Sequence, residues 1–202
     1  MRVLLSLIII FFSFTNLQSK EKNICNVLTE KYGKKYNLPN KLLTSIALVE
    51  SGFKKNKNFY SWPWTLNVSG KSFYFDTKKE ILNYLKNNIR EKKSMDVGCM
   101  QINTKYHLKN FKDLNQIIEP EENVKYAAKF LSDLYKKHRS WNEAIARYHS
   151  SIPKRKKRYL KKVYNFWNDI RQRKILNDYN YVNSFEKRQI ENFKKILKKE
   201  NI

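Results

Sequence analysis

The 202-residue chain has four glycines and four prolines, too few turn residues for a many-stranded β-sandwich or for long irregular loops. Helix is therefore the default. Only three histidines occur, His107, His138 and His149. They lack an HExxH or other paired spacing, so no metal site is expected. Ser51 and Ser69 adjoin glycines but no GxSxG elbow exists, and GxGxxG and the phosphate-binding loop are missing as well. Serine-hydrolase, dinucleotide and nucleotide chemistry have no foothold, and no cofactor is implied. There is no internal repeat and no Gly/Ser linker.

Acidic residues are also scarce, 18 against 42 Lys and Arg, giving a formal net charge of +24. Such a charge fits nucleic acid, an anionic membrane surface or an acidic polymer outside the cytoplasm. It fits equally a compositional bias, because the lysines are spread along the whole chain. What the chain does contain is apolar and aromatic material, 41% and 14% of residues, which argues for a packed core in spite of a mean hydropathy of −0.73.

Arg2 followed by "VLLSLIIIFFSF" is an apolar run shorter than the roughly 20 residues of a spanning helix, and polar "TNLQSK" follows it. Residues 1–19 are expected to be a secretory signal, the alternative being an uncleaved anchor, and export takes the chain away from nucleic acid as a partner. In an oxidising compartment the even pair Cys25 and Cys99 favours a disulfide, the alternative being two small buried apolar side chains. "NICNVLTEKYGKKY" carries Ile24, Leu28 and Tyr32 at helical spacing. Pro39 or Asn40 opens a second helix that Ser51 and Gly52 stop. "WTLNVSGKSFYFD" predicts a hairpin from Thr65 to Phe75. Thr77 with Glu80, Pro120 with Glu121 and Glu122, and Ser140 with Glu143 mark three more helix starts. A basic helix from about Pro153 to Arg171 follows. Beyond the break "LNDYNYVNS", a tail over 173–202 sets Ile190, Phe193 and Leu197 on one face among lysines, a stripe that fits packing on its own domain, contact with a membrane surface or contact with a partner.

One carboxylate is out of place. Glu50 in "SIALVESGF" stands four and seven residues after Ile46 and Leu43, on the stripe that should face the core. Burial there would raise its pKa and keep a proton available near neutral pH. The alternative is a helix-end glutamate turned to solvent, and periodicity alone does not separate the two.

"ALVESGF", "DVGCMQIN" and "AIARYHSS", in that order, resemble the three signatures of the SLT-type lytic transglycosylases of the lysozyme-like superfamily. These are a Glu-Ser pair at a helix end, a Gly-Leu-Met-Gln turn and an Ala-Tyr-Asn-Ala-Gly stretch. The resemblance covers roughly Ile24 to Trp167. It implies a mainly α, lysozyme-like α+β fold over 20–172, with a small β-hairpin insertion and a basic C-terminal helical tail. It also implies that Glu50 is the single catalytic acid/base and that Ser51 hydrogen-bonds near the substrate. Gly98, Met100 and Gln101 would shape the floor beside the scissile bond, and Tyr148 would face the glutamate. Cys99 stands where the family has Leu, and "RYHSS" lacks the Asn-Ala-Gly.

The implied substrate is the peptidoglycan glycan strand in the periplasm, with an envelope or secretion assembly as an alternative setting. The implied reaction breaks the bond between N-acetylmuramic acid and N-acetylglucosamine and closes a 1,6-anhydro ring; a water-using muramidase and a non-enzymatic peptidoglycan-binding factor are the competing readings. Asp96 reads as a turn residue in preference to a second acid. Trp62, Trp64, Tyr74 and Tyr106 are candidates for stacking on sugar rings, with core filling the more usual role of such residues. Stem-peptide carboxylates give the lysines an anionic target.

Overall fold

A computed structural model describes residues 23–55, 58–91 and 94–173, together with Ser184 and Arg188. The expected signal over 1–19 and the stripe of Ile190, Phe193 and Leu197 lie outside the described residues. Helix α1 spans residues 23–35 and buries Leu28 and Tyr32 as the spacing predicts. The Tyr32 hydroxyl donates to Glu121 at 2.7 Å and so ties α1 to the long helix α6 (Pro120–His138).

Helix α2 runs Leu42–Ser51, starting three residues after Pro39 and two after Asn40. Lys41 adopts a left-handed conformation, φ 64°, and the Asn40 carbonyl accepts from the Trp167 indole at 2.7 Å, which removes it from helical use. Leu42, Leu43, Ile46 and Ala47 of α2 are buried to within 1%, each of the larger ones worth roughly 1.5–3 kcal/mol of transfer free energy. At the other end Gly52 turns the chain directly into a strand. A Cβ on Gly52 would lie 2.4 Å from the Leu48 carbonyl and 2.2 Å from the Phe59 ring, so close backbone approach demands glycine there.

Strand β1 (Gly52–Lys55) pairs antiparallel with β2 (Asn58–Ser61). The predicted hairpin is present as β3 (Thr65–Val68) and β4 (Lys71–Tyr74), turning through Ser69 and Gly70, both at positive φ. Two strands not foreseen from sequence, β5 (Met95–Val97) and β6 (Ile102–Asn103), extend it to a four-stranded antiparallel sheet of order β4-β3-β5-β6. Leu66, Val97 and Ile102 fill its core face. In-register neighbours Ser72, Asn67, Asp96 and Asn103, one per strand, make the opposite face polar.

Helix α3 (Lys78–Asn88) is capped by Thr77, whose hydroxyl accepts from the Glu80 amide. The returning Glu80 carboxylate takes the Asp76 amide, one residue upstream of the expected reciprocal bond. Short helices α4 (Thr104–His107) and α5 (Leu114–Ile118) lead into α6, and Arg139 at φ 53° turns it into α7 (Trp141–His149), capped by Ser140. Helix α8, residues 153–173, brings Tyr159, Val163 and Trp167 inward at four-residue spacing. The disulfide Cys25–Cys99 joins α1 to the turn after β5 across 74 residues, worth roughly 4 kcal/mol on the chain-entropy account. Among the described residues no helix is long and apolar enough to cross a membrane. The architecture is mainly helical with a small antiparallel sheet, the lysozyme-like α+β class that the resemblance implied.

Candidate active site

Glu50 occupies the last turn of α2 and keeps partial accessibility along its length. Its carboxyl is nevertheless set in dense surroundings, and burial raises its pKa to about 8. The Tyr159 hydroxyl donates to Oε1 at 2.5 Å, which favours the charged form and works against that rise. Asp96 pushes the value up further, and Lys162 draws it down by less. Oε2 has no hydrogen-bond partner among the described residues. The result is a carboxylic acid that holds its proton at neutral pH and has one oxygen free to present it.

Ser51, the next residue, is 1% exposed. Its hydroxyl donates to the Cys99 carbonyl at 2.7 Å, with the Ala47 carbonyl at 3.1 Å, so it fastens the end of α2 to the turn at residues 98–101. That turn is tightly determined. Gly98 lies at φ 78°, and a Cβ on it would come within 2.8 Å of Asn123 Nδ2. The buried Asn123 side chain accepts from the Met100 amide at 2.9 Å and donates to the Val97 and Ile117 carbonyls at 2.9 and 3.0 Å. Gln101 sits at φ 47°, a conformation costing about 1–2 kcal/mol for a non-glycine residue. Its amide offsets this by donating to the Gly98 and Thr65 carbonyls at 3.0 and 3.3 Å.

Tyr148 donates to the Met100 carbonyl at 2.8 Å. Burial first, and then the charge of Glu50, holds its hydroxyl well above the ordinary tyrosine range, so it remains a proton-bearing donor. Asp96 is a strand residue of β5 and not the turn residue expected: Met95 and Val97 on either side point to the core, which directs Asp96 to the polar face. Asn103 donates to it at 2.7 Å, and burial raises its pKa in spite of that bond. The polar row of the sheet thus borders the site through Asp96. The structure brings Glu50, Ser51, Gly98, Met100, Gln101 and Tyr148 into one constellation, and the Cys25–Cys99 bridge anchors it.

Two site residues were missed from sequence. Asn123 gave no signal, since a polar residue in the first turn of α6 reads as a solvated position. Tyr159 did give one: it begins the stripe 159, 163, 167, and a tyrosine on a buried stripe needs a partner for its hydroxyl. Of the four aromatic candidates, Trp62 and Trp64 are core residues, whereas Tyr74 and Tyr106 are 43% and 63% exposed. A separate cavity of about 360 Å³ lies at the opposite end of α2, lined by Glu30, Lys34, Lys41 and Thr44 among others. There Glu30 is already engaged by Lys41 at 2.9 Å and by Thr44 at 2.5 Å.

Three comparisons bear on this site. The family model described as the transglycosylase SLT domain matches residues 27–172. The chain is 32% identical over 139 residues to Protein IpgF of Shigella flexneri, covering 65% of this chain and 71% of that protein. Protein IpgF of Shigella sonnei matches with the same identity and coverage. No solved structure matches the chain.

Proposed function

The chain belongs to the transglycosylase SLT domain family, and on that premise we propose that it is a peptidoglycan lytic transglycosylase with Glu50 as its single acid/base. The observation that carries this reading is the geometry of the Glu50 carboxyl, hydrogen-bonded by Tyr159 at 2.5 Å and open at its second oxygen, in surroundings whose burial raises its pKa to about 8 and favours the protonated form at neutral pH. Glu50 protonates the glycosidic oxygen between N-acetylmuramic acid and N-acetylglucosamine. The positive charge developing at the muramyl carbon is met by the substrate's own acetamido group, as in glycosidases that work without a second carboxylate. Asp96 is engaged by Asn103 and serves instead to keep Glu50 protonated. Once ionised, Glu50 takes the proton of the muramyl C6 hydroxyl, whose oxygen closes the 1,6-anhydro ring. The Tyr159 bond supports this second step because it favours the carboxylate.

Ser51, Gly98, Met100, Gln101 and Tyr148 hold the floor of the cleft rigid, so that one group serves both proton transfers at a fixed distance. The glycan strand is the substrate, no metal or cofactor enters, and the place of action is the periplasm after export. Digestion of purified peptidoglycan followed by mass spectrometry tests the reaction. Products carrying 1,6-anhydromuramyl ends, lighter by one water than muramidase products, are expected. Reducing ends would replace this reaction with hydrolysis, and binding without any cleavage would replace it with a non-enzymatic role.

A further inference from the structure

Elsewhere in the fold paired and unpaired cations are interspersed with acidic residues, and Lys31, Lys41, Lys78 and Lys129 each sit within 2.9 Å of a Glu or Asp oxygen. The first half of α8 departs from this. Lys154, Arg155, Lys157, Arg158, Lys161 and Lys162 are all exposed, and none has an ion-pair partner among the described residues. No acidic residue occurs between Pro153 and Asn168. Like charges three and four residues apart on one helix repel, so this row is stabilised by any anion laid along it.

Its position gives it a use. Arg155, Arg158 and Lys162 flank Tyr159, the residue whose hydroxyl holds Glu50. The Tyr159 ring stacks on His149 with centroids 4.6 Å apart. Burial, and after it the charges of Arg155, Lys162 and Arg158, push the His149 imidazole below its ordinary range, so all three cations are within electrostatic reach of that stack. Of the three, only Lys162 also acts on the Glu50 carboxyl; the two arginines sit on the same helix as Tyr159, which bonds Glu50 directly. A strand placed with its scissile bond at Glu50 carries, on the muramyl sugar being cut, a lactyl-linked stem peptide with free carboxylates.

We propose that the exposed basic row at the start of α8 binds the stem-peptide carboxylates of the muramyl sugar at Glu50, so that the protein discriminates peptide-bearing from denuded glycan strands. This rests on the proposed reaction for the direction in which the strand lies. Two or three such exposed pairs are worth roughly three- to tenfold in affinity and fade with salt.

The test compares peptide-bearing strands with the same strands stripped by an amidase, using wild type and the double variant Arg155→Gln/Arg158→Gln. Neither arginine touches Glu50, and both are exposed, so the variant should keep the wild-type melting temperature. Wild type should show a KM about three- to tenfold lower on peptide-bearing strands at low salt, converging at high salt. The variant should lose that preference while cleaving denuded strands at the wild-type rate. An equal KM on both substrates in wild type, or an unchanged preference in the variant, would overturn the proposal. So would a defect confined to sedimentation with phosphatidylglycerol vesicles, which would assign the row to a lipid surface. Co-sedimentation of Glu50→Gln protein with intact and amidase-stripped peptidoglycan reads the same preference without catalysis, so failure of the reaction and failure of this proposal are separable.

Discussion

Two glutamates lean on the same helix three residues apart and behave in opposite ways. Glu143 of α7 meets Lys156 of α8 at 2.6 Å and Arg147 at 2.8 Å. These bonds, Lys156 first, hold its carboxyl below the ordinary range. Glu50 of α2 meets Tyr159, and its pKa rises to about 8 because burial outweighs the tyrosine's hydrogen bond. The difference is that water and two cations reach Glu143, while Glu50 is given a neutral donor and a neighbouring carboxylate. A carboxyl that stays protonated here goes with the absence of a salt bridge from a helix that is otherwise crowded with cations.

The largest test of this contrast is Glu50→Gln, which keeps shape and hydrogen-bonding reach but cannot donate and then accept a proton. Cleavage should fall by at least 10² to about 10⁴-fold, measured as released muropeptides. Stability should move the other way. Glu50 has a folded pKa above its unfolded one, so unfolding releases a proton between about pH 4.5 and 8 and wild type loses stability as pH rises through that window, then levels off. The Gln variant escapes this loss. Its advantage in denaturant unfolding should grow by up to about 1.4 kcal/mol per pH unit across the window, and a pH-independent difference would mean the carboxyl is not desolvated.

Next is Asn123→Ala, which strips three buried hydrogen bonds from the turn beside Glu50. A loss of about 3 kcal/mol is expected in urea titration, with reduced cleavage by the folded fraction. A cost under about 1 kcal/mol would show that the disulfide alone holds the turn.

Tyr159→Phe retains the ring against His149 but removes the donor that favours ionised Glu50. The Glu50 pKa should climb, so the alkaline fall in kcat/KM moves to higher pH, with a rate loss of roughly tenfold from the second proton transfer. A shift to lower pH would break the assignment. The smallest effect belongs to Glu143→Gln, which should leave the pH profile unchanged and the melting temperature within about two degrees, as for surface pairs generally. Any change in the alkaline limb would tie the two glutamates together.

Much of the helical skeleton was legible because it is written in short-range code. The stripe of α1, the caps at Thr77 and Ser140, the proline at the first position of α6, and the Ser-Gly hairpin all depend on residues within about four positions of one another. The misreadings fall where a distant residue intervened. The start of α2 moved because Trp167 takes the Asn40 carbonyl. Asp96 became a strand residue because β3 and β6 pair on either side of three residues too few to show a period.

The sequence by itself determined that Glu50 sits on an apolar stripe at a helix end, that Cys25 and Cys99 are an even pair, and that three ordered motifs frame the chemistry. Those are properties of residue identity and spacing along one strand of chain. Only the tertiary structure decided that the carboxyl would be kept protonated: Tyr159 lies 109 residues away, and Asp96 acts on Glu50 from an interior strand of a sheet that local pattern cannot foretell. A pKa is set by the solvent, charges and donors assembled around a group in space, and none of those distances exists until the chain has folded.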